Sequence, residues 1–253
     1  MKVVTLFPLF LASCISAHSI PRALPLGLPF HTGPEPKIYS NDGTEVQLVG
    51  TNWAGHQEAM IPEGLQYASV KTIVDKVGQL NLNVVRLTYA TEMIDDIVDN
   101  GGDLTLEATL VKALGAENGT IILQKVLSFN PSFTANTTRL QVFDAVANEL
   151  AAQGIYVHLD NHMSRATWCC GTGDLNAWFG DTEFDVAKWI RGWKYIAAHV
   201  SWEHYSLAYK QLLTSIRPLK TGHHLHLWVS GTSFVDQIMA VGNLTIGSLG
   251  IYT

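Results

Sequence analysis

The residues with the most chemistry in this chain cluster where apolar runs end. IYVHLD leads into Asp160, Asn161 and His162, and Trp168, Cys169 and Cys170 follow at once in LDNHMSRATWCC. VQLVGTNW ends in Asn52 and Trp53, and NVVRLTY carries Arg86 and Tyr89. Arg86 suits a carboxylate or a hydroxyl, or a strand-end salt bridge. His162 can donate to a sugar hydroxyl or a carboxylate, or serve a structural hydrogen bond. Asp160 sits inside the apolar pattern, which favours a supporting hydrogen bond over proton transfer. Asp160 and His162 alone make a poor metal site, since no third and fourth ligands accompany them. No metal or other cofactor is expected.

Flat indole faces suit the apolar C–H faces of pyranose rings, so Trp168 and Trp178 in RATWCCGTGDLNAWFG are candidate sugar platforms or simply loop packing. Trp53 follows a strand directly and is expected to line the base of a pocket. Cys169 and Cys170 are either a vicinal disulfide or a buried reduced pair. Adjacent cysteines do not supply the spaced ligands of a zinc site.

The elements that must hold these residues alternate. KIYSNDGTEVQLVGTNW reads as a small hairpin running into a strand, turned at Asp42-Gly43. SVKTIVDKVGQL has Val70, Ile73, Val74, Val77 and Leu80 at helical spacing. LNVVRLTYA is then a strand. The middle is expected to be loop-rich, with NGGDL and AENGT as turn signals and TLEATLVKALG as a helix. TTRLQVFDAVANELAAQG is a helix with Gly154 at its C-terminal cap, and IYVHLD is a strand apolar enough to be covered on both faces. GDTEFDVAKWIRGWKYIAAH and HYSLAYKQLLTSIRPL are both helical, yet no strand fits between them. LHLWVSG and SFVDQIMAVG are a later strand and helix. Strand–helix–strand order is the unit of a parallel sheet, whose strand C-termini form the site. About four sheet strands are legible, half of what a closed barrel needs.

Composition narrows the partners. The net charge is −6 over 253 residues, and no basic stripe points to nucleic acid. Lys2 followed by VVTLFPLFLA and CISA has the pattern of a signal peptide over residues 1–17, a run short for a membrane anchor. Residues 18–36 read as a flexible, proline-rich leader and 37–253 as the folded domain. No later run is long and apolar enough to span a membrane. Asn118, Asn136 and Asn243 open glycosylation triplets. These features predict a secreted, monomeric protein. The G-x-S-x-G elbow of an esterase is missing.

TNWAGHQE, NVVRLTY, YVHLDNHMSRATWCC and GDLNAWFGDTEFD resemble fungal members of glycoside hydrolase family 5, the cellulase family, over about Lys37 to Val241 with a break near His199. The resemblance implies a TIM (β/α)8 barrel of the α/β class, a retaining mechanism, and a β-linked polysaccharide or oligosaccharide as partner. It assigns Arg86 to the family's strand-two arginine and His162 to the histidine after strand three. By residue type and placement, Asn52, Trp53, Trp168 and Trp178 are further substrate-binding or supporting candidates. The family's two catalytic glutamates, at the ends of strands four and seven, have no match. The expectation is therefore a partial barrel missing strand four and the C-terminal strands, as a shortened or mis-spliced product would be, and an inactive one. Glu203 in SWEHY resembles the helix after strand four. Glu58, Glu63 and Glu92 follow the first two strands and could contact ligand. A non-catalytic carbohydrate-binding protein is the alternative.

Overall fold

The computed structural model describes residues 27, 30–32, 37–168, 171, 173–177 and 179–199. Residues 1–17, most of the leader, Cys169, Cys170, Trp178, Glu203, Asn243 and every element expected after His199 lie outside the described residues, as does the skipped strand.

The chain opens with a small antiparallel sheet of β1 (His31–Thr32), β2 (Ile38–Tyr39) and β3 (Glu45–Val46). Gly43 makes the β2–β3 turn at φ 84°, a conformation that costs glycine little. Phe30 to Thr32 belong to the segment read as leader, and Phe30 packs edge-on to Tyr156 at 5.2 Å.

A second sheet carries the site. Its strands are β4 (Gly50–Trp53), β5 (Val84–Ala90) and β6 (Tyr156–Met163), all parallel and in that order. The helix α1 (Val70–Gln79) connects β4 to β5. Ser69 caps it by accepting from the Thr72 N–H, and Val70, Val74 and Val77 are its buried face. The connection from β5 to β6 holds α2 (Thr91–Asn100), α3 (Leu106–Leu114), α4 (Ala116–Phe129) and α5 (Arg139–Ala152). The last helix, α6 (Val186–Ala198), follows the loop after β6. Among the described residues the barrel is not closed; the architecture is α/β with two small sheets and six helices, in keeping with part of a (β/α)-barrel.

Alternation divides the second sheet into two unlike faces. Val85, Leu87, Tyr89, Val157 and Leu159 face the helices and join one core with residues from all six. Arg86, Thr88, His158 and Asp160 point the other way, aligned across the strands as Arg86 opposite His158 and Thr88 opposite Asp160. At the N-terminal end of this second face, Val84 and Tyr156 close over Ile38 and Val46 of the small sheet and over Leu48 beyond it.

The middle of the chain differs from expectation. TEMIDDIVDN, in the stretch expected to be loop-rich, forms α2, and AENGT, a turn signal by composition, begins α4. The acidic residues of α2 hid a three-residue and four-residue apolar spacing, Met93, Ile94 and Ile97, all buried. Gly119 is not a turn residue but a contact: a Cβ there would lie 2.7 Å from the Leu110 carbonyl oxygen, so glycine lets α4 press against α3.

Two buried polar residues tie this helical layer together. Asn130 accepts from the Val70 N–H at 2.9 Å and donates to the carbonyls of Leu65 and Val126 at 3.0 Å each. Asn130→Ala strands that buried N–H and those carbonyls, and is expected to cost about 2–3 kcal/mol in urea unfolding. Arg139, fully buried at the start of α5, pairs with Asp103 at 2.7 Å and Asp96 at 3.0 Å. Thr138 caps the same helix in a reciprocal box with Gln141.

Candidate functional site

The site lies on the polar face of the second sheet, toward its C-terminal ends. Asp160 is its centre. The carboxylate is 2% exposed, and one oxygen receives Arg86 Nη2 at 2.8 Å and His162 Nδ1 at 2.7 Å. Arg86 Nη2 also stands 3.2 Å from His162 Nδ1. An ionised carboxylate only accepts, so the 2.7 Å contact assigns the His162 Nδ1 proton to Asp160.

His162 reaches this position through a local irregularity. Tyr89 pairs with Asn161 and Ala90 with Met163, so the register skips His162. An extra residue of this kind re-aims a side chain. The sequence expectation that the apolar strand ends in Asp160, Asn161 and His162 is thereby refined: all three are within β6, and they point in different directions. Asp160 and His162 belong to the site. Asn161 turns to the helices, where Thr91 Oγ1 donates to its Oδ1 at 3.1 Å.

A second histidine stands over the first. The His56 ring lies 4.4 Å from that of His162, inclined by 50°. His56 Nδ1 is 2.7 Å from Thr88 Oγ1, and the same hydroxyl accepts the Gly55 N–H at 3.1 Å. Gly55 is required there: a Cβ would fall 2.7 Å from both the Thr88 carbonyl oxygen and Phe143 Cζ. Sequence reasoning does not select His56 or Thr88, although they lie in TNWAGHQE and NVVRLTY, because neither stands out by type or spacing. The signal was the pair of facing positions, a histidine just after β4 and a threonine on the polar face of β5.

The remaining candidates are distributed as follows. Asn52 aligns with Arg86 on the polar face. Trp53, one residue on, is 7% exposed within the helix-side core, and its indole N–H donates to the Glu63 carbonyl at 2.9 Å. It supports the loop after β4. Tyr89 also faces the helices, edge-on to Trp193 at 5.8 Å. Trp168 is 66% exposed on the loop after β6. Glu92 accepts the Ala166 N–H at 2.8 Å, and its own N–H donates to the Ser164 carbonyl at 2.8 Å. It thus fixes the loop that leads to Trp168. Glu58 and Glu63 stand in the loop after β4, where burial and then the charge of Glu58 raise the Glu63 carboxyl above its usual range. Among the described residues, no group of three or more His, Cys, Asp and Glu side chains is arranged to hold a metal, and no helix is long and apolar enough to cross a membrane. Asn118 and Asn136 are both exposed.

The electrostatics of the centre follow from burial and one ion pair. Burial pushes Asp160 up, but the His162 hydrogen bond and the Arg86 charge outweigh it, so its carboxyl titrates below the ordinary value. Burial, then the interactions with His162 and with the Arg86 charge, lowers His56 to about 3. Burial and Arg86 lower His158 to about 4. On the far side of the helical layer, the hydrogen bond to Asp144 raises His199 above 6.5.

A pH dependence follows. His56 and His158 stay neutral in the fold at pH values where the unfolded chain protonates them. Stability is therefore lost as pH falls below about 6.5 toward their folded values, each group contributing a slope of up to about 1.4 kcal/mol per pH unit. His199 has the opposite sign, and its contribution is lost as pH rises through its raised value. Asp160 adds a further loss only below about 3.9, its unfolded value. Urea midpoints taken from pH 4 to 8 are expected to peak near 6.5 and to fall more steeply on the acid side.

Comparison with known proteins bears on what this geometry serves. No family model matches the chain. A glycosyl hydrolase 5 family protein of Chamaecyparis obtusa is 32% identical over 150 residues. The chain is linked in sequence to glycosyl hydrolase family 5. That match takes in 59% of this chain and 26% of the relative, so the chain spans about a quarter of the length of the curated relative it matches. Solved structures extend the likeness to the fold. The catalytic domain of the major endoglucanase from Xanthomonas campestris pv. campestris is similar with a TM-score of 0.51 at 18% identity, over 87% of this chain and 59% of that one. A hyperthermophilic endocellulase from Pyrococcus horikoshii gives 0.51 at 17% identity, over 88% and 57%. At these identities the likeness concerns the fold alone.

Proposed function

We propose that this chain is a secreted, monomeric, glycosylated domain of the family-5 glycosidase type, built on part of a (β/α)8 barrel, that holds a β-linked glycan across the C-terminal ends of its parallel strands without cleaving it. The parent activity is retaining hydrolysis of O-glycosidic bonds in β-glucan-like polymers. The observation that carries this reading is the Arg86–Asp160–His162 cluster, packed on the polar face of the sheet at those strand ends.

Retaining cleavage needs one carboxylic acid to protonate the leaving oxygen and one carboxylate to attack, about 5–5.5 Å apart. Asp160 fits neither role. Its oxygen is shared between a guanidinium and an imidazole, and its lowered proton affinity keeps it from serving as an acid. Its work is to hold Arg86 and the His162 tautomer in place. The Glu92 carboxylate is likewise engaged, by a loop N–H and by Lys112 at 3.5 Å.

The test is titration of the secreted chain with cellotetraose, followed by assays on aryl β-glycosides and soluble β-glucans. Saturable binding without release of reducing ends is the expected result. Turnover that disappears in Glu203→Gln would overturn the non-catalytic assignment. Absence of binding to any β-glucan would overturn the glycan reading itself.

A further inference from the structure

We propose that His56 is a ligand-positioning residue whose Nε2–H donates to an oxygen of the glycan lying on the polar face of the β4–β6 sheet. The inference rests on the glycan reading above and adds to it a residue to which the sequence analysis assigns no role.

Hydrogen-bond geometry favours one placement of the proton. The His56 Nδ1 contact to the Thr88 hydroxyl is 2.7 Å, a length typical of an O–H donor, whereas the contact to the Trp53 carbonyl is 3.5 Å. We assign the Thr88 hydrogen to Nδ1. The Thr88 oxygen can still receive the Gly55 N–H at 3.1 Å, and no conflict arises. A neutral imidazole that accepts at Nδ1 carries its proton at Nε2. Burial, then the neighbouring His162 and Arg86, keeps the ring neutral across the physiological range.

His56 is 6% exposed, and its Nε2 has no hydrogen-bond partner among the described residues. A buried donor left unpaired is destabilising, and the Thr88 contact and the His162 ring hold the imidazole in place. Two further orphans share this face of the sheet, Asn52 Oδ1 and Arg86 Nε. One acceptor and two donors without partners, on a face otherwise saturated by Asp160, match a ligand whose groups both donate and accept. Hydroxyl groups do so, and an anion does not, because Asp160 already holds negative charge at the centre.

The acceptor is a neutral oxygen. An uncharged donor fixed by a threonine discriminates by geometry instead of charge, so this interaction should persist at salt concentrations that screen surface ion pairs.

The experiment combines nitrogen NMR of the histidine rings with calorimetric titration of cellotetraose. In the free protein, the His56 Nε2 resonance is expected at the protonated position, and it moves on saturation with sugar. His56→Phe keeps the stack on His162 and is expected to weaken binding about tenfold, the equivalent of one hydrogen bond. His56→Gln, which retains a side-chain N–H, recovers part of that loss. A proton found on Nδ1 of the free protein overturns the inference, as does unchanged affinity in His56→Phe or an Nε2 resonance that does not move in the saturated complex. If His56→Phe fails to fold, the two wild-type resonance measurements decide alone. Binding by wild type with an indifferent His56 defeats this inference and leaves the glycan reading standing. A wild type that binds no glucan defeats both.

Discussion

Arg139→Leu is expected to lower the unfolding free energy by about 3–5 kcal/mol, the range for removing one partner of a buried ion pair. The guanidinium is fully buried. It bridges Asp103 and Asp96 at 2.7 and 3.0 Å, and touches the Met93 carbonyl and Met60 Sδ at 3.3 Å each. It therefore joins the start of α5 to α2, to the loop before α3 and to the loop after β4. Leucine fills part of the space but leaves two largely buried carboxylates facing each other. Urea denaturation read by circular dichroism checks the loss. Adding Asp103→Asn should restore part of it, because the amide removes a charge and its oxygen can still accept the Leu140 N–H, now held at 2.8 Å. A pair of variants whose effects simply add would show that the bridge is not the cause.

Asp160→Ala is the second large effect. It removes the shared acceptor of Arg86 and His162 and leaves a guanidinium only 15% exposed without its counter-charge. A loss of about 3–5 kcal/mol in urea unfolding is expected, together with loss of cellotetraose binding. Asp160→Asn separates the contributions. An amide oxygen still accepts one bond but cannot balance Arg86, so the fold should survive better than in Asp160→Ala. With the carboxylate gone, His162 has less reason to keep its proton on Nδ1. The nitrogen spectrum of the His162 ring reports that change directly.

Much of this arrangement was legible in the sequence where local pattern and tertiary demand coincide. The apolar spacing in SVKTIVDKVGQL and TTRLQVFDAVANELAAQG predicts α1 and α5, and the strands β5 and β6 follow from runs that must be apolar to sit under helices. Arg86 and His162 stood out because charged or polar residues in such runs need a reason. The parts that escaped depend on contacts distant in sequence. Arg139 looked like an ordinary polar residue at a helix start; its burial comes from Asp96 and Asp103, which lie 43 and 36 positions away. TEMIDDIVDN looked like loop because its acidic residues pair with partners elsewhere: Asp96 with Lys112 and Arg139, and Asp95 with Lys188 and Arg191. Trp53 follows a strand and was assigned to the cavity. A one-residue step in register separates Asn52 from Trp53, and it sends the indole to the opposite face.

The small antiparallel sheet has a consequence for how any substrate must approach. Ile38, Val46 and Leu48 sit against Val84 and Tyr156 like a stopper at one end of the polar face, with Phe30 pressed on Tyr156. On the proposed glycan reading, a sugar chain would meet this apolar plug if it came from that end, and would reach Arg86 and His162 only from the side of the strand C-termini.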